Sequence, residues 1–448
     1  MTDFVSEPGG RVPVAATSDL VAVGGGPAGI AAAIAGARNG LSVTLLERYP
    51  YLGGLASGGM VLVLDDMCNG AEIAVRGLCA DLIERMEKMG LAVTPPEADR
   101  RSDPAMWRKW SRWGVFDFTS QQKPQPIVYA AAFDPDGFKR ASNAMIAEAK
   151  VNLRLHSWFS RAIVEDGAIK GVIVESKEGR QAIRAKIVVD ATGDLDVAAS
   201  AGAPFIEGAY IVTTVFRLGG VDFEEAERFE YEEPEAFKAI DREAKKLIGG
   251  SWDKWWLKTP LPGVVWCNCP HMANYDGLKV EDLTRADFEG RKRIAALVEH
   301  VRVKLPGFRD CFVVDVAPQL GIRQTRLLEG LYVVTKEDVT ERRHFADSVA
   351  RGRDYYTPYR ALLPRDVQGL IVAGRHYSAT SSAQRMSREI PPCMAMGEAA
   401  GEAAALALEG SVALDRIDVG TLQRRLRARG GDPGDRPAAN AGVLRAAE

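Results

Sequence analysis

Residues 19–47 read DLVAVGGGPAGIAAAIAGARNGLSVTLLE, and this stretch decides the fold. Leu20, Val21, Ala22 and Val23 form an apolar run that leads directly into Gly24-Gly25-Gly26-Pro27-Ala28-Gly29. An alanine-rich stretch of helical composition follows to Asn39, and a second apolar run closes on Glu47. Strand, glycine turn, helix and strand in that order make the unit that holds a dinucleotide. Gly24 permits the tight turn, Gly26 lets the backbone approach a pyrophosphate, and Gly29 brings the helix close to the strand. The helix N-terminus adds unpaired N–H groups and the positive end of a dipole. Glu47 stands 23 positions after Gly24 and is placed to accept hydrogen bonds from ribose hydroxyls, which disfavours a 2′-phosphate. The unit by itself leaves NAD and FAD open.

The chain around it has 448 residues, more than one ordinary domain needs, and its 46% hydrophobic content supports a sizeable core. A formal net charge of −3 gives no basic footprint for nucleic acid. The first residues lack the basic and apolar regions of a signal peptide, and no apolar run reaches membrane-spanning length. A cytoplasmic location is expected, and six cysteines suit a reducing compartment better than a disulfide scaffold. Cys267-Asn268-Cys269 with His271 falls short of a metal ligand set, so no metal is expected and two thiols in a loop is the plainer reading.

Residues 1–17 read as a flexible lead. A glycine-rich loop at 51–60 lets the chain pass close to a ligand. Helices are expected over 77–89 and 136–150, with a polar, Trp-rich stretch between them at 95–126. Residues 161–165 and 170–175 form a hairpin about Asp166-Gly167. Residues 181–190 read as a further strand pair ending in Ala191-Thr192-Gly193-Asp194. From 206 to 360 the character changes to long polar helices with Trp-Trp and Pro interruptions. A buried strand at 369–374 then returns to the first pattern, and a small-residue helix covers 391–408. After an amphipathic piece at 422–428 the tail is expected to be disordered. One domain is thus assembled from separated pieces around an insertion, a split pattern that points to FAD rather than NAD.

Three segments carry a resemblance to a known family: VAVGGGPAGIAAAIAGARNG…LLERYPYLGG, AKIVVDATGDLDVAASAGAP, and GLIVAGRHYSATSSAQRMSREIPPCMAMGEAAGEAAALAL. With GIRQTR and TPYRALLP, the chain resembles, over residues 18–430, the FAD-dependent oxidoreductases related to fumarate reductase and succinate dehydrogenase flavoproteins. The resemblance implies an α/β fold: a glutathione-reductase-type, Rossmann-like FAD-binding domain built from split segments, with an inserted α+β substrate or cap domain. The corresponding boundaries are 18–205 and 361–412 for FAD binding, 206–360 for the cap, and 413–448 for a C-terminal tail. FAD contacts are expected from Gly24, Gly26, Pro27, Ala28, Gly29, Glu47 and Arg48. The resemblance adds Gly53, Gly54, Leu55, Ser57 and Gly58 beside the flavin, then Thr192, Gly193, Asp194 and Gly374. Met394 and Ala395 come last, on a helix whose N-terminus faces the flavin N1–O2 edge. The Arg and His signature of dicarboxylate chemistry is not matched, and no histidine is placed for covalent flavin attachment.

The expected activity is hydride transfer between flavin N5 and a small organic substrate. The alternatives are a flavin-dependent monooxygenase and an electron-transferring flavoprotein subunit of a larger complex. Only one dinucleotide fingerprint is present, so the electron donor or acceptor is left open, as is oligomeric state. His376, Arg388 and Arg385 are the catalytic candidates, because the loop from 375 to 392 must skirt the flavin ring. An imidazole moves protons near neutral pH, and guanidinium groups bind carboxylates. A satisfied loop histidine and interdomain ion pairs are the plainer readings. Arg323 and Arg326 in GIRQTR, and Asn268, His271 and Asn274 in the insertion, are further polar candidates. Trp107, Trp110, Trp113, Trp252, Trp255, Trp256 and Trp266 either line an aromatic cavity or, more simply, pack the core.

Overall fold

The computed structural model describes residues 10–69, 72–251 and 254–437. Seven strands form the central sheet: β1 (Val14–Val23), β2 (Val43–Leu46), β3 (Asn152–Arg154), β4 (Trp158–Glu165), β5 (Ala168–Ser176), β6 (Gly179–Asp190) and β7 (Leu370–Val372). Their order is β3-β2-β1-β6-β5-β4, with β7 added beside β6. Strands β1, β2, β3, β6 and β7 pair in parallel, while β4 and β5 form an antiparallel arm. Strands β2 and β7 and the end of β1 are buried, and Leu20, Val21 and Ala22 carry no exposed surface. Asp166 and Gly167 both take positive φ at the β4–β5 turn, the backbone that a two-residue hairpin requires.

Three helices border the ends of these strands, α1 (Pro27–Arg38), α2 (Val280–Lys304) and α3 (Ile390–Gly410), and α4 (Val419–Ala428) packs on α3. Helices α1 and α3 touch backbone to backbone. A Cβ on Gly397 would strike the Ala28 carbonyl, and one on Gly401 would strike that of Ala32. The glycine turn and the N-terminus of α3 are therefore held in one rigid unit, although they lie far apart in sequence.

Residues 216–316 contain a second core. Strands at Trp256–Lys258, Val265–Cys267, Phe216–Gly219 and Phe312–Val316 form an antiparallel sheet in that order. Trp255 and Trp256 pack on Phe308 with ring centroids 5.8 and 5.3 Å apart. Arg217 fastens this sheet to the first part of the chain, reaching Asp134 and Asp315 at 2.6 Å each. Arg112 does likewise, bonding Glu230 and the Trp256 carbonyl.

Several expectations need correction. Strand β1 starts at Val14, inside the expected flexible lead, because β6 is long enough to pair Val14 with Ala182. Residues 181–190 lie in one strand, not two; its first half pairs with β5 and its end with β7. Residues 429–437, which follow α4, are tied to the rest of the chain. Ser348 Oγ donates to the Pro433 carbonyl at 2.8 Å, and Arg429 Nε donates to Glu402 Oε1 at 2.5 Å. Residues 1–9 and 438–448 lie outside the described residues, as does Trp252. The other candidate tryptophans serve packing. Trp110 joins Val115, Phe116 and Ile127, with Trp107 and Trp113 against them, and Trp266 enters the main core.

Glu402 is fully buried on α3, so removing its partner leaves an uncompensated charge. Arg429 is one-third exposed, which moderates the effect. Arg429→Met is expected to cost about 2 kcal/mol, read as a lowered thermal midpoint, while Arg429→Lys recovers part of it.

Candidate functional site

The C-terminal ends of the parallel strands β1, β2, β6 and β7 converge on a cleft of about 680 Å³. Ligands bind at this end of open α/β sheets. One end of the cleft is formed by Glu47, Arg48 and Trp158. The Glu47 carboxylate is 6% exposed and accepts from the N–H groups of Gly25 at 2.6 Å and Tyr49 at 2.8 Å. Burial raises its pKa against the pull of those two bonds. Arg48 lies over the rings of Tyr49 and Trp158, at 5.0 and 5.4 Å.

The glycine turn occupies the middle. Gly24 has φ +105°, a region that side chains rarely adopt, and its Cβ would collide with the Ala191 carbonyl. A Cβ on Gly29 would collide with the Gly24 carbonyl, so helix and turn touch there. At Gly26 the added atom would meet nothing nearer than Gly54 Cα at 3.9 Å; this position opens into the cleft. Helix α1 begins beside it with no side-chain cap, leaving its first N–H groups for a ligand.

Opposite stand Thr192, Gly193 and Asp194. Asp194 accepts from Thr325 Oγ1 at 2.8 Å and Arg375 Nη2 at 2.9 Å. Burial alone would raise its carboxyl, but Arg375 and Arg48 hold it below the usual range. Behind it, Asp190 is fully buried at the end of β6. It accepts from Thr192 N and Oγ1 at 3.1 and 2.7 Å, from Ala198 N at 2.9 Å, and from His376 Nε2 at 3.2 Å. Burial again opposes its charge, and the His376 contact with these bonds outweighs it, so the carboxyl is lowered.

The far end is formed by Arg388, Glu389, Ile390 and Cys393 at the start of α3. Cys393 Sγ donates to the Arg388 carbonyl at 3.3 Å, and burial pushes its thiol up to about 12. Arg323 lies nearby, its Nη2 3.4 Å from Asn268 Oδ1. His271 is pulled down to about 4 by burial and by the Arg323 charge.

The expected contact residues divide. Gly24, Gly26, Pro27, Ala28, Glu47, Arg48, Gly54, Leu55, Thr192, Gly193, Asp194 and Gly374 all line the cleft. Gly29 supports the turn from behind. Gly53 and Ser57 face inward, with Ser57 Oγ donating to the Leu52 carbonyl, and Gly58 packs on Tyr51 and Gln319. Helix α3 opens at Ile390, one turn before Met394 and Ala395, because Pro391 and Pro392 are suited to a first turn. Met394 is buried in the helix, and neither residue lines the cleft.

Among the catalytic candidates, Arg388 reaches the cleft. Arg385 does not: its guanidinium lies 4.5 Å above the Tyr210 ring and donates to the Ala209 carbonyl on an exposed surface. His376 stands in the cleft wall with no exposed surface, and Nε2 is engaged by the Asp190 carbonyl and carboxylate. The ring is thus held through Nε2 by Asp190, while Nδ1 has no hydrogen-bond partner among the described residues. Asp190 is the residue of the cleft wall that sequence reasoning missed. An aspartate closing an apolar strand just before a Thr-Gly turn is the signal that marks Asp190.

The arrangement fits FAD. Gly26 leaves room for a pyrophosphate, and Glu47 and Arg48, which line the same cleft, would be the residues to hold the adenosine half. Three buried nitrogens around the cleft, His376 Nδ1, Arg375 Nε and Arg388 Nε, have no hydrogen-bond partner among the described residues. The chain belongs to the FAD dependent oxidoreductase family, whose model matches residues 19–357 and 351–426. It is an enzyme, and FAD is its cofactor. Digeranylgeranylglycerophospholipid reductase 1 of Methanopyrus kandleri is 28% identical over 199 residues, 44% of this chain and 45% of that protein, so the match spans about half of the relative. A solved geranylgeranyl bacteriochlorophyll reductase-like protein from Thermoplasma acidophilum matches with TM-score 0.50 and 15% identity, covering 96% of this chain and 87% of that one. p-Nitrophenol 4-monooxygenase PnpA from Pseudomonas putida DLL-E4 matches with TM-score 0.50 and 15% identity, over 96% and 92% of the two chains. At such identity the solved structures share the fold alone. No helix among the described residues is long and apolar enough to cross a membrane.

Glu47→Ala should weaken FAD binding by about 1.5–3 kcal/mol, the worth of hydrogen bonds to a charged group. The expected readout is flavin fluorescence during titration of the apoprotein. Unchanged affinity would leave Glu47 with only the Gly25 and Tyr49 bonds as its task.

Proposed function

We propose that the protein is a dehydrogenase or reductase acting by hydride transfer on a small organic substrate held between the cleft and residues 206–360. Residues 18–205 and 361–412 bind the cofactor in this reading, with the glutathione-reductase-type arrangement. Kinship with fumarate reductase flavoproteins belongs to the same reading and rests on the three sequence segments. When bound, FAD supplies the hydride acceptor or donor at N5. The protein's part is to bind, orient and exclude water. The observation that carries this reading is the polar end of the cleft at the start of α3. There Arg388 lines the cleft with a buried Nε that has no hydrogen-bond partner among the described residues, and the insertion delivers Arg323 and Asn268 beside it. Guanidinium groups so placed suit an anionic substrate.

The test is anaerobic mixing of the FAD-loaded protein with small organic acids, alcohols and amines, and separately with NADPH. Bleaching of the flavin by an organic substrate without oxygen supports the reading. Bleaching by NADPH alone, followed by oxygen uptake matched to a hydroxylated product, would establish a monooxygenase instead. Reduction only through a co-purifying iron–sulfur protein would establish an electron-transferring subunit.

A further inference from the structure

Helix α2 carries two apolar stripes, and the core of the insertion uses one of them. Ala286, Gly290, Ile294, Leu297 and Val301 are buried, and a Cβ on Gly290 would strike the Thr214 side chain. The second stripe is Val280, Leu283, Thr284, Asp287 and Phe288, and all five line the cleft. Steps of three, four, seven and eight residues put them on one face of the helix. Val280 is 72% exposed and Phe288 73%. Single apolar side chains on a surface are ordinary, but an apolar helix face that lines a ligand cleft is a surface that a ligand covers.

The position of this face in the cleft selects what covers it. Gly277, three residues before α2, also lines the cleft, and a Cβ on it would stand 2.8 Å from Thr325 Cγ2. Thr325 Oγ1 donates to Asp194 at 2.8 Å. The start of α2 is thereby anchored beside the Thr192–Asp194 turn, and Arg48 is near enough for its charge to act on Asp194 and Asp196. Trp158 lines the same cleft at 51% exposure, with Arg48 5.4 Å above its ring. Exposed aromatic rings therefore stand on both the central sheet and the insertion. The one charged residue of the α2 face, Asp287, accepts from Arg291 Nε at 2.9 Å. A face with no cation of its own suits a neutral flat ring rather than a phosphate.

We propose that helix α2 of the insertion completes the cofactor site, with Phe288 and Val280 packed against the adenine of FAD. The contact covers apolar surface that α2 leaves exposed, and an aromatic ring matches a flat base. The insertion then serves the cofactor as well as the substrate, and FAD joins the second core to the central sheet. The contact is the same whichever substrate the flavin oxidises or reduces.

The experiment titrates the apoproteins of wild type, Phe288→Ser, Val280→Ser and Phe288→Trp with FAD, FMN and ADP. Flavins are followed by their fluorescence and ADP by competition with FAD. FMN lacks the adenosine, and ADP lacks the flavin. Phe288→Ser should weaken FAD and ADP alike, by at least about fivefold, the lower bound for a base stacked on an aromatic ring. FMN affinity and the thermal midpoint of the apoprotein should not change, because the side chain is exposed. Val280→Ser should show a smaller loss of the same kind. Phe288→Trp should keep its affinity, and its added tryptophan emission should change when ADP binds. Unchanged affinity for FAD and ADP in Phe288→Ser overturns the proposal. A loss shared by FAD and FMN but not ADP also overturns it, by putting the flavin ring on α2. A loss confined to flavin reduction by substrate overturns it by giving the face to the substrate. A changed oligomeric state on gel filtration with unchanged FAD affinity overturns it by giving the face to a second copy of the chain.

Discussion

Gly26→Ala will give a folded protein that no longer holds FAD, whereas Gly29→Ala will give a protein that barely folds. The two glycines sit three residues apart in one motif, and geometry separates their tasks. A methyl group on Gly26 meets no atom closer than Gly54 Cα at 3.9 Å, and its backbone has an ordinary φ of −75°. Its cost to the apoprotein is that of losing a favourable helix cap, about 0.5–1 kcal/mol. The same methyl group fills the opening into the cleft, so FAD affinity should fall at least about 100-fold, or about 2.7 kcal/mol. On Gly29 the methyl group strikes the Gly24 carbonyl, in a turn already held against Ala191. Overpacking usually costs about 1–3 kcal/mol and more where backbone must move. That is a large share of a typical stability of about 5–15 kcal/mol. Thermal melts of the apoproteins and FAD titrations measure the two effects independently. Parallel losses of stability and FAD in Gly26→Ala would show that Gly26 braces the turn as Gly29 does.

The range of the interactions decides how much of the molecule was legible in the sequence. The glycine-turn side of the cleft was legible because its signals are local. Gly24, Gly26, Glu47, Asp194 and Gly374 each close a strand or open a helix within a few residues, and all reach the cleft. Positions whose role depends on a distant partner were misjudged. Val14 to Thr17 have little strand character alone and become strand because β6 extends far enough to pair with them. Arg385 and Arg388 looked equivalent, yet Tyr210 draws the first to the surface while α3 turns the second into the cleft. The expected disorder after residue 428 overlooked Glu402, a buried charge that needs Arg429, 27 positions away.

Replacing Asp190 will be the most damaging single change in the cleft wall. Its carboxylate is fully buried and ties together the Thr192 turn, the helix that follows at Ala198, and His376 beyond β7. Breaking a buried charged contact by removing one partner costs about 3–5 kcal/mol. Asp190→Asn should therefore lower the thermal midpoint strongly and release FAD, since Gly193, Asp194 and Arg375 are positioned through the same turn. Asp190→Asn combined with His376→Leu should cost less than the sum of the two single effects. The double variant should deviate from additivity by about 1–3 kcal/mol, because the two residues share one interaction. The pH dependence has a definite sign. The Asp190 carboxyl is lowered in the folded protein, so its contribution is fully present above the unfolded carboxylate value. That contribution is lost as pH falls below about 4. Wild type should accordingly lose more stability on acidification than Asp190→Asn, and the two melting curves should approach each other in acid. His376 decides between two roles. A substrate-facing acid–base group would leave FAD bound in His376→Ala and slow its reduction; a brace on Asp190 predicts loss of FAD together with stability. The engaged Nε2 and the fully buried ring favour the brace.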